Sequence, residues 1–176
     1  MHIKASVFEQ VILMYSIVNQ YTFVYASYVF IEMIYFGGFM KEVLDFLKDN
    51  KIFYVATVNG DKPKVRPFGF VMEFEGKICF TTNSLKQCSI QMKTNPNVEI
   101  CACSSNMELT MEWVRIIGRS VFFHSIPAKE KAFELMPALK EGFKTVDNPD
   151  YELFYLENAK CEFHTLIGGV QRIINL

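Results

Sequence analysis

A chain of 176 residues is enough for one ordinary domain with a substantial core and too short for two comfortable ones. Hydrophobic residues make up 51% and charged residues 21%, which leaves no room for a large disordered region. The net charge of -1 lacks the basic excess that gripping a nucleic-acid backbone needs, so nucleic acid is excluded as a partner.

Between Met1 and Phe39 the only charged side chains are Lys4, Glu9 and Glu32, whereas the rest of the chain is evenly charged. The apolar run from Val7 to Phe36 is interrupted by Glu9, Gln10, Asn19, Gln20 and Glu32, which makes it a poor membrane span, and Lys4 is a thin start for a secretory signal. The favoured reading of residues 1–39 is translated leader sequence ahead of a true start at Met40. Gly37-Gly38-Phe39-Met40 is what a purine-rich ribosome-binding element gives when read in frame before a start codon. If the segment belongs to the protein, its tyrosine-rich pattern reads as an added helix packing on a partner or a membrane surface.

Residues 40–176 read as one domain. Val43, Leu44, Phe46 and Leu47 among charged neighbours have the spacing of a short amphipathic helix. The β-branched and aromatic run Ile52 to Val58 is a strand, and Asn59-Gly60-Asp61 is a tight hairpin turn. A returning strand is expected from Lys64 to Phe74, with Pro63 and Pro67 placing part of it at a sheet edge or bulge. After Glu75-Gly76-Lys77, a third strand, Ile78 to Thr82, completes an expected three-stranded meander.

Ser84 reads as the N-cap of a helix that Asn95-Pro96 stops. Strands follow at Val98 to Cys103 and at Leu109 to Phe123, the second broken by Gly118. A helix from Pro127 to Leu139 and closing strands at Leu153 to Leu156 and Ala159 to Leu166 complete about six strands and three helices. This mostly antiparallel order predicts a mainly β, Greek-key-like barrel with accessory helices. No G-x-G-x-x-G motif, P-loop or nucleophile elbow is present. Five cysteines, an odd number without a C-x-x-C pair, indicate neither a disulfide framework nor a zinc ribbon, and a reduced cytoplasm is expected. Cys101 and Cys103 share one strand face, as small buried thiols often do, and no metal site is expected.

Three stretches, Ile52 to Phe70, Lys77 to Lys86 and Thr94 to Ile100, together resemble in order and spacing the FMN-binding split barrels of the pyridoxamine 5′-phosphate oxidase-like superfamily. The resemblance implies FMN as cofactor and a homodimer that builds each site from two chains. It maps the phosphate contacts to Arg66 and Lys86, with hydroxyls from Thr81, Thr82 and Ser84. A planar guanidinium fork and a lysine point charge suit a phosphate dianion. Pro67, Phe68, Gly69 and Phe70 would pass along the flavin ring, and Phe80 and Gln87 belong to the same implied set.

Trp113 is a flavin contact by resemblance, or a core or dimer contact by its residue type. Arg115 is a substrate or phosphate contact across the dimer, or a structural ion pair. His124 and His164 read as structural, with His164 the one that could border the flavin. The resemblance is closest to Nim-type, 5-nitroimidazole-resistance proteins and general flavin oxidoreductases, which implies reduction of a small electrophile with electrons from NAD(P)H. The alternative is a non-catalytic, redox-sensing dimer that holds flavin, haem or a deazaflavin. The end, Leu166 to Leu176, carries Arg172 as its only basic residue and lacks the basic segment of a genuine pyridoxamine phosphate oxidase. The second and third strands carry no histidine of the kind Nim-type proteins use.

Overall fold

The computed structural model describes residues 37–105 and 109–176, and the unit considered is Phe39–Leu176. The expectation of leader sequence in residues 1–39 concerns positions outside this description almost entirely. A first helix, α1, runs to residue 49. Then come β1 (Phe53–Asn59), β2 (Lys62–Phe68), β3 (Val71–Phe74), β4 (Lys77–Asn83), α2 (Gln87–Thr94), β5 (Asn97–Cys103) and β6 (Glu112–Phe123). Helices α3 (Ile126–Leu135) and α4 (Pro137–Phe143) precede β7 (Tyr151–Thr165) and β8 (Gly169–Asn175).

All eight strands join one antiparallel sheet in the order β2-β1-β5-β6-β7-β4-β3, with β8 also on β7. The sheet curls around one apolar interior, as the cross-barrel contacts show. Phe53 of β1 meets Phe80 of β4 edge-on at 5.5 Å, Phe80 stacks on Phe154 of β7 at 5.3 Å, and Phe68 of β2 meets Phe154 at 6.2 Å. Alternation sets the two faces. Phe53, Val55 and Thr57 point inward with Val98, Ile100 and Ala102, while Tyr54, Glu99, Cys101 and Cys103 face outward. Val43, Leu44 and Leu47 of α1 and Met92 of α2 complete the interior. A second core lies where Ala128, Ala132 and Phe133 of α3 cover Met72, Cys79, Tyr151 and Leu153.

The mainly β split barrel matches expectation, but the meander does not. The run read as one strand from Lys64 to Phe74 is two strands at opposite ends of the sheet, separated by Gly69 and Phe70. Extended backbone continues on both sides of the break, but β2 pairs with β1 and β3 with β4. The edge position that Pro63 and Pro67 require is observed, since β2 pairs only with β1. Gly60 and the pair Glu75 and Gly76 have the positive φ of tight hairpin turns.

The helix expected over Pro127 to Leu139 is two, because Pro137 cannot continue α3 and instead opens α4. The two closing strands are a single β7, and β8 was not foreseen: only Ile174 of that strand is buried. Among the described residues no helix is long and apolar enough to cross a membrane.

Gly118 marks a register shift between β6 and β7. A Cβ there would lie 3.1 Å from the Glu157 carbonyl oxygen and 3.1 Å from Leu156 Cβ, both fixed by the ladder. Gly118→Ala should therefore cost about 1–3 kcal/mol through local overpacking, measured as a lowered midpoint in denaturant unfolding; an unchanged midpoint would show that the bulge yields freely.

Candidate functional site

The pairing register of β1 and β2 decides where Arg66 goes. Arg66 opposes Val55, and directly opposed residues share a face, so its side chain is drawn to the inner side of the sheet. There Arg66 Nη1 donates to Thr57 Oγ1 at 2.5 Å and Nη2 donates to Gln91 Oε1 at 2.5 Å, while the Thr57 hydroxyl donates to Gln91 Oε1 at 2.7 Å. Thr57 and Gln91 are buried. A half-buried guanidinium is thus held in a fixed orientation by neutral oxygens alone. Gln91 sits on the buried face of α2 with Cys88 and Met92, so α2 ties Arg66 to the barrel end.

Lys86 stands at the N-cap of the same helix, exposed. Among the described residues neither Arg66 nor Lys86 has a carboxylate within ion-pair distance, although eight other such contacts are present. The expected N-cap, Ser84, does not cap α2. Its hydroxyl donates to Asp150 Oδ1 at 2.5 Å, because the turn over Asn83 to Lys86 delays the helix to Gln87. Gln87 is the exposed first residue of α2.

Thr81 and Thr82 are buried at the end of β4, and the Thr82 hydroxyl lies 3.5 Å from Cys88 Sγ. Phe68, Phe70 and Phe80 turn their side chains to the interior cores. They can meet a ligand only through backbone, which is available where β2 has no neighbour on its outer edge and at Gly69 between the two strands. Pro67 lies on the face opposite Arg66, opposed to Tyr54.

Trp113 and Arg115 are not brought to this cluster within one chain. They lie on the outer face of β6 with Cys103, Cys101, His164 and Glu162 in register. Trp113 stacks on His164 at 5.2 Å with 4° between the ring planes. Arg115 Nε donates to Glu99 Oε1 at 2.5 Å, and Nη1 lies 3.7 Å from Glu162 Oε2. Lys160 Nζ adds a contact to Glu162 at 2.7 Å. His164 Nε2 is 3.4 Å from the same carboxylate, off the hydrogen-bonding direction and otherwise without a partner.

The Lys160 hydrogen bond and the surrounding cations hold the Glu162 carboxyl below the usual range. Burial pushes the Cys79 and Cys161 thiols up to about 12 and, with Cys103 adding to the effect, Cys101 up to about 11. These three are therefore thiols at neutral pH. Among the described residues no group of three His, Cys, Asp or Glu side chains could hold a metal ion.

Sequence reasoning missed Thr57 and Gln91, which orient Arg66. Their signal is a polar residue at the third inward position of β1 and Gln91 beside Met92 on the buried face of α2. It also missed the stacking of His164 on Trp113, which needs the β6-to-β7 register.

A depressed carboxyl stabilises the fold fully above its ordinary pKa of 4.5 and loses that contribution as pH falls through its folded value. Glu162→Gln should therefore flatten the decline in thermal midpoint below pH 4.5 relative to the parent, with thermal melts along a pH series as the check. An unchanged acid limb would count against the ion cluster.

The chain matches the family model for pyridoxamine 5′-phosphate oxidase over residues 39–165. A NimC/NimA family protein from Clostridium acetobutylicum is 36% identical, with 81% of this chain and 94% of that one aligned at a TM-score of 0.71. General Stress Protein 26 from Bacillus anthracis has the same fold at 14% identity, covering 78% of this chain and 98% of that one with a TM-score of 0.59. A haem-binding protein from Mycobacterium smegmatis does so at 14% identity, covering 74% and 54% with a TM-score of 0.56. A search of curated proteins gave no match. With the match spanning most of the chain and the split barrel in place, this protein belongs to the pyridoxamine 5′-phosphate oxidase family.

Proposed function

We propose that the protein binds FMN and reduces a small electrophile with electrons from NAD(P)H, working as a homodimer. The observation that carries the reading is the positive charge of Arg66, bonded to Gln91 of α2, and of Lys86, at the N-cap of the same helix, which no carboxylate balances among the described residues. Arg66 is half-buried, rigidly aimed and bonded only to neutral oxygens, and Lys86 stands at the helix N-cap without an anion. A phosphate would supply the missing negative charge, meeting the guanidinium fork and the ammonium together. The backbone at Gly69 and along the open edge of β2 suits the polar rim of a flat ring. When bound, FMN supplies the redox chemistry; the chain's own residues hold the phosphate, set the ring plane and limit water.

The outer face gives the dimer its rationale. Tyr54, Val65, Val170 and Ile173 are 51%, 62%, 48% and 52% exposed, and they extend the half-buried Trp113 and Arg115 across β2, β1, β5, β6, β7 and β8. An apolar sheet face of this extent fits a second copy.

Protein purified after FMN loading should be yellow, and anaerobic NADH or NADPH should bleach it. The double variant Arg66→Ala, Lys86→Ala should lose FMN at least about a hundredfold, as two charge-assisted phosphate contacts are removed. Retained flavin in that variant would refute the phosphate assignment, and bound flavin that no nicotinamide reduces would mark a carrier and not a reductase. Tyr54→Glu with Ile173→Glu should convert a dimer to monomer in sedimentation and weaken flavin binding in parallel.

A further inference from the structure

Helices favour acidic side chains in the first turn, where free N–H groups make the end positive, and basic ones in the last. Helix α3 has no acidic residue in its first turn, yet it places Lys129 there, four positions after the Ser125 cap. Lys129 is 3% exposed. Its ammonium has no hydrogen bond or ion pair among the described residues, and the face of Tyr151, 5.2 Å from Nζ to the ring centroid, is its one close polarisable neighbour. A lysine enclosed to this degree ordinarily has a carboxylate partner. Glu152 is not available for that part, since Ser89 and Lys93 already bind its two oxygens. Burial pulls the ammonium below the usual lysine range, with Asp147 and Glu152 opposing that shift from a distance.

The side chain does not end in packed core. It lines a cavity of about 280 Å³ between the end of β6, the segment 147–149 and the start of β7, with Phe122, Phe123 and Tyr151 among its walls and His124 and Asp147 also in the lining. Tyr151, one of the lining residues, has its Oη buried without a hydrogen-bond partner. None of the residues around Arg66 and Lys86 lines this space.

We infer that the Lys129 cavity is a binding site for a small organic monocarboxylate, the carboxylate meeting the Lys129 ammonium and the apolar body lying against the aromatic walls. One cation in an aromatic lining suits one negative charge on a flat molecule. Asp147 and Glu152 in the same lining repel a second charge, which disfavours phosphate and other dianions. The volume lies at the small end of ligand pockets and limits the guest to about the size of a single ring.

The test uses the full chain with benzoate as the probe and inorganic phosphate as the control, followed by calorimetry and ligand-observed NMR. Benzoate should bind saturably, phosphate at least about tenfold more weakly. Lys129→Met keeps the length and apolar stem but removes the charge. It should weaken benzoate at least about tenfold without lowering the thermal midpoint, because the ammonium has no hydrogen bond or ion pair among the described residues to lose and burial disfavours its charge. Asp147→Asn should tighten benzoate. Should Lys129→Met not fold, reductive methylation of the parent protein with and without benzoate, read by peptide mass spectrometry, takes its place: protection of Lys129 supports the site and equal modification overturns it. No saturable benzoate binding, undiminished affinity in Lys129→Met, or phosphate bound as tightly as benzoate would each overturn the proposal. FMN content is read in parallel, so the outcome stands apart from the fate of the flavin reading.

Discussion

Strand β7 is the constraint on which the rest of the molecule depends. It pairs with β6 along nearly its whole length, while its other edge is shared, β4 taking Tyr151 to Tyr155 and β8 taking Lys160 to Thr165. A fifteen-residue strand with two different neighbours on one side must bend between them, and the bulge opposite Gly118 lets it do so. The same bend carries Phe154 to the centre of the interior, where Phe68, Phe80 and Phe122 gather around it. The aromatic contacts between strands far apart in the sheet order all run through that residue or its immediate neighbours, so the curl of the barrel and the position of β7 are one fact.

The barrel's inner face is apolar except at one end, and that end holds Arg66. A guanidinium there is oriented by Thr57 and Gln91 without being neutralised. Such an arrangement fixes geometry while leaving charge uncompensated, which is how a site is readied for an anion and not how a core is stabilised. The outer face shows the opposite design. Arg115, Glu99, Glu162 and Lys160 satisfy one another, so their charges balance locally, and apolar groups at Tyr54, Val65 and Ile173 remain for contact.

Much of this was legible in the order of residues. Asn59-Gly60 and Glu75-Gly76 announced their turns, Pro63 and Pro67 their edge, and Gly118 its bulge, because each of these residues restricts or frees the backbone locally. The failures share a cause too. The strand-like run from Lys64 to Phe74 carries no mark of which strand lies alongside, so the change of partner at Gly69 could not be seen. β8 shows one buried side chain and no periodicity to find. At the site, Arg66 and Lys86 were identifiable by family position, whereas the partners of Arg66 come from elements 9 and 25 positions away in sequence, and only the fold reveals that they converge. Lys129, between a proline and alternating charges, looked like any lysine on a solvated helix.

The separation of β2 from β3 governs how the chain must acquire its structure. Two strands joined by Gly69 and Phe70 end at opposite edges of the sheet, so hairpins β1-β2 and β3-β4 can form early without touching. They become parts of one object only when β5, β6 and β7 are laid between them, and the Phe80-to-Phe154 pairing spans more than seventy positions. Pairings this distant in sequence make for slow folding. During synthesis both early hairpins wait with apolar faces uncovered until the last quarter of the chain has left the ribosome, which makes the docking of β7 between β6 and β4 the step that commits the barrel.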